Sequence, residues 1–387
     1  MGRPQRFIPK NKDGVLVEIS GRAIGACALL VPAPNPRRFN EMIAGGMGRA
    51  LEVARGGHRG SSRGADEEAG ARIDLCACVW TANHFHLLAI VHRQQELSRF
   101  MHHLAGNVSK EVNRIRGRRG TLWERRYDQI VVSDEPDAQW KSLKYLLSHG
   151  VKEQLCESPL DWPGVHAARS LVHGESLEGF WWNRTREWAA RNRGQNVGAY
   201  DFATRYLVDF AQLPAFRELS AEQYQDKIAD LIREIEEEGR RTRAGNPVAG
   251  VEKILSLNPF EPPTRKTKRS AKPHFRAESK QARDDLRSER ATFLAQYAIA
   301  SQALRLDRNS EAASWFPKGC YPPALPFTGP PAPCRPPTPP TRRITVLESG
   351  AVERGDIPVV EIRPTVWKSE SVVSPTLGEP RARGQPP

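Results

Sequence analysis

Residues 73 to 91 constrain this chain more than any other stretch. Two apolar runs flank the short polar break Thr81-Ala82-Asn83, a pattern that predicts two strands joined by a tight turn. The second strand opens with His84-Phe85-His86. Side chains alternate across a strand, so His84 and His86 share one face and Phe85 takes the other. At strand rise the two histidine Cα atoms lie about 6.6 Å apart, a spacing from which two imidazoles can converge on one metal ion. The same triplet would also suit two surface histidines beside a buried phenylalanine, and its spacing does not separate the two readings.

The residues around the hairpin predict an α+β domain. Val15, Val17 and Ile19 alternate as a first strand, and the extended stretch ends among Pro32, Pro34 and Pro36. Phe39, Met42, Ile43, Met47, Ala50, Leu51 and Ala54 then recur at helical spacing, despite Gly45, Gly46 and Gly48. A Gly- and Ser-rich loop is expected over 56–71. After the hairpin, Leu97, Phe100, Met101, Leu104, Val108, Val112 and Ile115 form the clearest amphipathic helix. Residues 128–132 predict another strand. A helix follows, capped by Ser133 or Asp134, with Pro136 in its first turn and Gly150 at its end. Its apolar stripe is Trp140, Leu143, Leu146 and Leu147, and Lys141, Tyr145 and His149 fall on the opposite side. The order β, α, β, β, α, β, α implies an antiparallel sheet with helices packed mainly on one face.

Charge points to the partner. The 387 residues carry a formal net charge of +13, which favours a polyanion, nucleic acid above all, although a basic solvated surface has the same composition. Seven basic residues (Lys110, Arg114, Arg116, Arg118, Arg119, Arg125 and Arg126) fall between positions 110 and 126 against two acidic ones, Glu111 and Glu124. Trp123 and Tyr127 lie within or beside this run. Arg and Lys neutralise phosphates, and aromatic rings stack on splayed bases. The alternative is a solvated helix end. Six scattered cysteines without a Cys-x-x-Cys pair match a reducing compartment. No run of 18 apolar residues occurs, so no membrane helix is expected.

The segment Cys78-Val79-Trp80-Thr81-Ala82-Asn83-His84-Phe85-His86-Leu87-Leu88 resembles the HUH motif (His, hydrophobic, His) of the REP-associated, IS200-like single-tyrosine transposases. The resemblance continues through Leu97–Met101 and Leu122–Tyr127. It resumes at Leu143–Leu147 and Ser158–Val165, covering roughly residues 13–170. It implies a ferredoxin-like catalytic domain. It also implies a DNA transposase that cuts and rejoins single strands, at hairpin-forming ends, through a 5′-phosphotyrosine intermediate. It places the nucleophile at Tyr145, with Tyr127 as the rival, and a divalent metal, Mg²⁺ or Mn²⁺, on His84 and His86. Two imidazoles fit Mn²⁺ better than Mg²⁺. Lys141 and Lys144 are candidates for contacting DNA and for helping a phenol that ionises near pH 10. The family commonly has Asn-Pro-Val after the tyrosine, the Asn completing the metal site. Here His149-Gly150-Val151 stands instead, with His149 as the third ligand. The implied partner is single-stranded or hairpin DNA, a homodimer is allowed, and the implied location is the bacterial cytoplasm, on the nucleoid when DNA is bound. A domesticated DNA-hairpin-binding protein without strand transfer is the alternative. A metal-dependent hydrolytic nuclease would need a carboxylate-rich motif, and none adjoins these histidines.

The catalytic machinery is expected within 1–170. Residues 171–316 are expected to form a mostly helical extension: helices over the Trp-rich 175–215, a capping box at Ser220–Gln223, a basic linker over 262–290, and a short helix from about 290 to 306. Proline dominates 317–387, which predicts a largely disordered tail.

Overall fold

The structure is a computed structural model that describes residues 7–9, 14–56, 73–263, 273–306, 315–317, 320 and 357–364. The expected loop over 56–71 lies outside these residues apart from Gly56, as does most of the expected tail.

The first half builds in the order β1 (Val15–Arg22), α1 (Pro36–Ala54), β2 (Ile73–Trp80), β3 (His84–Val91), α2 (Gln94–Ile115), β4 (Asp128–Val132) and α3 (Pro136–Leu147). The sheet runs β2-β3-β1-β4, and every one of these neighbours is antiparallel. This is the ferredoxin-like β-α-β-β-α-β arrangement. Strand alternation gives the sheet two apolar-lined faces with different tasks. Phe85, Leu87, Val17 and Ile19 point to one side. Phe85 stacks on Trp80 with centroids 4.7 Å apart, and Trp80 Nε1 donates to Met47 Sδ of α1 at 3.4 Å. Helices α1 and α2 cover this side. Glu18, His84 and His86 point to the other, where α3 packs against β2 and β3. Helix α3 starts without either expected cap: Glu135 occupies that position and Pro136 is the first helical residue. Ser133 instead donates its hydroxyl proton to the Glu135 carboxylate at 2.6 Å.

The second half adds α4 (Ala168–His173), β5 (Leu177–Trp182), α5 (Arg184–Asn192), β6 (Ala203–Val208), α6 (Ala221–Arg243), α7 (Val251–Leu255), β7 (Phe275–Arg276), α8 (Lys280–Leu306) and β8 (Val359–Ile362). The capping box at Ser220–Gln223 is present at the start of α6. Two expectations fail here. The Trp-rich segment is not helical throughout, because Trp181 and Trp182 lie on β5, which pairs with β6. The basic stretch is not a bare linker: beyond 264–272, which lie outside the described residues, it forms β7 and the first turns of α8. Within the stretch expected to be largely disordered, Val359–Ile362 pair in parallel with β6.

The three-stranded sheet β5-β6-β8 sits on α1, so α1 is enclosed between two sheets. That explains its glycines. A Cβ at Gly45 would lie 2.2 Å from the Phe180 backbone, and one at Gly48 would lie 2.6 Å from Tyr206 Cβ. The residues that look like helix-breakers let β5 and β6 approach the helix backbone. One continuous cluster of buried apolar residues runs from Val15 through Phe180 and Ile232 to Ile362, without a break at residue 170.

Candidate active site

The hairpin turn fixes the first histidine. Thr81 Oγ1 accepts the His84 backbone N–H at 3.2 Å and lies 2.8 Å from His84 Nδ1. Asn83 Oδ1 lies 2.7 Å from the same ring nitrogen, and its amide is oriented by Nδ2 donating to Ala26 O at 3.0 Å. A carboxamide oxygen only accepts, so His84 carries its proton on Nδ1. His86 Nδ1 donates to Glu18 Oε1 at 3.1 Å, and His149 Nδ1 donates to Leu146 O at 2.9 Å. All three rings therefore turn Nε2 away from these anchors, and the Nε2 of His149 accepts from Lys152. This is how metal-binding imidazoles are held, one nitrogen to a second partner and the other to the ion.

The three histidines offer ligand atoms within 4.8 Å of one another. His86 and His149 are buried and His84 is half-buried. Helix α3 stops at Leu147, Gly150 takes φ +93°, and the His149 ring lies 4.5 Å from that of His86 on β3. An added Cβ at Gly150 would meet Cys156 Sγ at 2.8 Å. Burial, with the neighbouring charges of His86 and Lys152, holds His149 far below the usual imidazole range, so it is a neutral donor. The donor set, three imidazole nitrogens with Nδ1 of each ring anchored, suits a divalent transition ion.

Tyr145 borders the triad. Its ring centroid lies 5.1 Å from that of His149 and 5.8 Å from that of His86. It is 38% exposed, so part of the side chain meets solvent. Burial of the ring and the charge of Glu18 raise its pKa above the ordinary phenol value, and Arg276 opposes that rise. Two cations lie over the ring: Lys152 Nζ at 3.7 Å and the Arg276 guanidinium at 4.6 Å. Lys152 also donates to His149 Nε2 at 3.0 Å, and burial pushes its ammonium down to about 8. Glu18 sits 3% exposed in the middle of β1. Burial alone would raise it, but the His86 hydrogen bond and the Arg276 charge pull it below its ordinary value. Beside Tyr145, a cleft of about 310 Å³ opens between α3 and α6, lined by Lys141, Lys144, Ser148, Lys152, Glu238 and Thr242.

The other expected DNA contacts divide. Lys110, Arg114, Arg119, Arg125 and Arg126 are exposed, with Arg114 paired to Glu111 and Arg125 to Asp128, both at 2.8 Å. Arg116 is spent inside the protein, donating to the carbonyls of Leu29, Val31 and Ala33. Arg118 is tied to Asn113 and to Thr121 O. Trp123 is no stacking platform: its Nε1 donates to Ala105 O at 2.9 Å and its ring lies 5.3 Å from that of Phe85. Lys141 and Lys144 do not turn to the phenol. Lys141 pairs with Glu278 at 2.5 Å, and Lys144 with Glu234 at 2.9 Å and Glu238 at 2.8 Å. Tyr127 packs against the core, away from the triad.

Sequence reasoning missed Glu18, Lys152 and Arg276. A lone carboxylate within an otherwise apolar strand was a signal for Glu18. Nothing local marked the other two.

An antiparallel sheet with helices on it thus brings three histidines and a tyrosine together. Residues 67–145 match the family described as transposase IS200 like, so the resemblance read from the sequence is shown over that segment, which holds His84, His86 and Tyr145. The segment therefore groups with transposase-type DNA-processing proteins. A solved structure, described as a REP-associated tyrosine transposase bound to a REP hairpin, is similar at 15% identity, over 45% of this chain and 87% of that one, with a TM-score of 0.30. No curated protein matches the chain.

Proposed function

We propose that this protein is a transposase that cuts and rejoins single-stranded DNA, with Tyr145 as nucleophile and His84, His86 and His149 as ligands of a divalent metal, Mn²⁺ in preference to Mg²⁺. The carrying observation is the convergence of three Nδ1-anchored imidazoles on the side of the sheet where Tyr145 sits, with its centroid 5.1 Å from that of His149. A bound divalent ion would act as a Lewis acid and template on the scissile phosphate. Tyr145 Oη gives up its proton to solvent and attacks phosphorus, the new O–P bond forms, and the bond from phosphorus to the 3′-oxygen breaks. That oxygen leaves as a 3′-hydroxyl once protonated, and the 5′ end stays on the enzyme. Attack by another 3′-hydroxyl reverses the step and joins the strands. The ester keeps the phosphodiester's free energy, so no nucleotide cofactor is needed. Arg276 favours negative charge on the phenol. The exposed Lys110, Arg119 and Arg126, with the net charge of +13, attract the phosphate backbone. Single-stranded ends beside a hairpin are the substrate that the resemblance to the REP-associated transposases implies.

Labelled single strands incubated with Mn²⁺ are expected to give a covalent protein–DNA band on a denaturing gel. Tyr145→Phe should retain DNA binding and lose the band, whereas Tyr127→Phe should keep it. Loss of the band in Tyr127→Phe alone would move the nucleophile. Hairpin binding with no band under any metal would instead make this a DNA-binding protein without strand transfer.

A further inference from the structure

Arg276 lies 131 positions after Tyr145 in the chain, outside the matched family segment, yet it reaches the centre of the site. Strand β7 adds to the sheet as a fifth strand, parallel to β4, with Arg276 opposite Val132. Glu18 pairs with Ile130 of the same strand. Positions 130 and 132 share a face, so Arg276 and Glu18 share it too. Arg276 donates from Nε at 2.8 Å and from Nη2 at 2.7 Å, both to Glu18 Oε2. The other carboxylate oxygen, Oε1, takes the His86 Nδ1 proton. The face of the same guanidinium covers the Tyr145 ring at 4.6 Å.

We infer that Arg276 is a positioning residue of this site, locking the Glu18 carboxylate that aims His86 and bracing the ring of Tyr145. The inference rests on the proposed roles of His86 and Tyr145. The segment carrying Arg276 is thereby part of the active site, not an appendage to it. Its placement is held by contacts independent of Arg276's side chain. Val131 N donates to His274 O at 3.1 Å and Ser133 N to Arg276 O at 2.9 Å. The Glu135 carboxylate accepts the backbone N–H groups of Glu278 at 2.8 Å and Ser279 at 2.9 Å, which seats the start of α8 on the start of α3. The Lys141–Glu278 pair ties the same two elements together. A planar fork can grip one carboxylate oxygen twice while presenting a flat face to a ring; an ammonium cannot do both.

The test uses the full chain with Arg276→Ala and Arg276→Lys, and reads thermal melting, Mn²⁺ affinity by calorimetry, and the rate of the covalent band at saturating Mn²⁺. With melting retained, Arg276→Ala should bind Mn²⁺ about 10–100-fold more weakly, the loss typical of removing an outer-shell partner. It should also form the band more slowly once Mn²⁺ saturates, through the freed tyrosine. Arg276→Lys should fall between Ala and wild type in both. Wild-type Mn²⁺ affinity and band rate in Arg276→Ala would overturn the inference. If Arg276→Ala does not fold, Arg276→Lys decides, and wild-type values there overturn it. A wild type that binds Mn²⁺ but yields no band on any strand defeats the transposase reading, while the Mn²⁺ affinities still judge Arg276.

Discussion

At the scale of single residues, this molecule keeps imidazoles neutral by burying them. His149 is one case; His166 is another, with its Nδ1 accepting the Ala168 N–H at 3.0 Å. Burial pushes His166 down to about 4 from an ordinary 6.5. The unfolded chain thus takes up a proton as pH falls below about 6.5, whereas the folded chain resists until about 4. The stabilisation is complete above the unfolded value and is lost as pH drops through that window; below it both states are protonated. Across the window His166 alone should remove about 3 kcal/mol, since each pH unit between the two values is worth about 1.4 kcal/mol. Urea unfolding of the metal-free protein at pH 7 and pH 4.5 measures the loss, to which His149 adds in the same direction. His166→Gln should flatten the pH slope; an unaltered slope would mean that His166 titrates normally in the fold.

At the scale of elements, α1 shows a local rule overridden by packing. Glycine inside a helix costs about 1 kcal/mol relative to alanine, so Gly45→Ala should stabilise an isolated helix. Here the added methyl would meet the backbone of Phe180 at 2.2 Å, and backbone in a paired strand has little room to yield. Overpacking of this kind costs about 1–3 kcal/mol or more, which outweighs the helix gain. A methyl added at Gly106 in α2 would have nothing within 4 Å, so that position serves as the control. Thermal melts should show Gly45→Ala lowered and Gly106→Ala unchanged or raised. Equal gains at both sites would mean that β5 does not rest on α1 in solution.

At the scale of the whole molecule, the two halves share one core. A fragment ending near residue 175 would keep the triad and Tyr145 but lose β5 and β6 from the glycine face of α1. It would lose α6, whose Glu234 and Glu238 hold Lys144, and β7 with Arg276. Residues such as Phe39, Met42 and Met47 of α1 belong to the same buried cluster as Phe180 and Tyr206. Uncovering that side exposes apolar surface that a soluble fragment does not hide, and aggregation is the expected outcome. The fragment should lack a cooperative melt and be digested quickly by protease. A sharp melt and slow digestion would show that the first half folds alone.

Much of the site was legible in the sequence because its signals are local. Alternation put His84 and His86 on one face of a strand, helical spacing put Tyr145 and His149 on one side, and the element order predicted an antiparallel α+β domain, which the resemblance made ferredoxin-like. The basic run was legible as charge but not as placement. Whether an arginine meets solvent or the carbonyls of Leu29, Val31 and Ala33, as Arg116 does, depends on a loop more than 80 positions away in the chain. The sequence by itself determined most of the strands and helices of the first half, and the residues each presents on a given face, since periods of two and 3.6 residues act over a few positions. Only the tertiary structure decided that α3 crosses the histidine side of the sheet, that β5 lies on the glycines of α1, and that Arg276 closes on Glu18. Those are pairings between distant segments, chosen by which surfaces bury best together, and no local pattern records that choice.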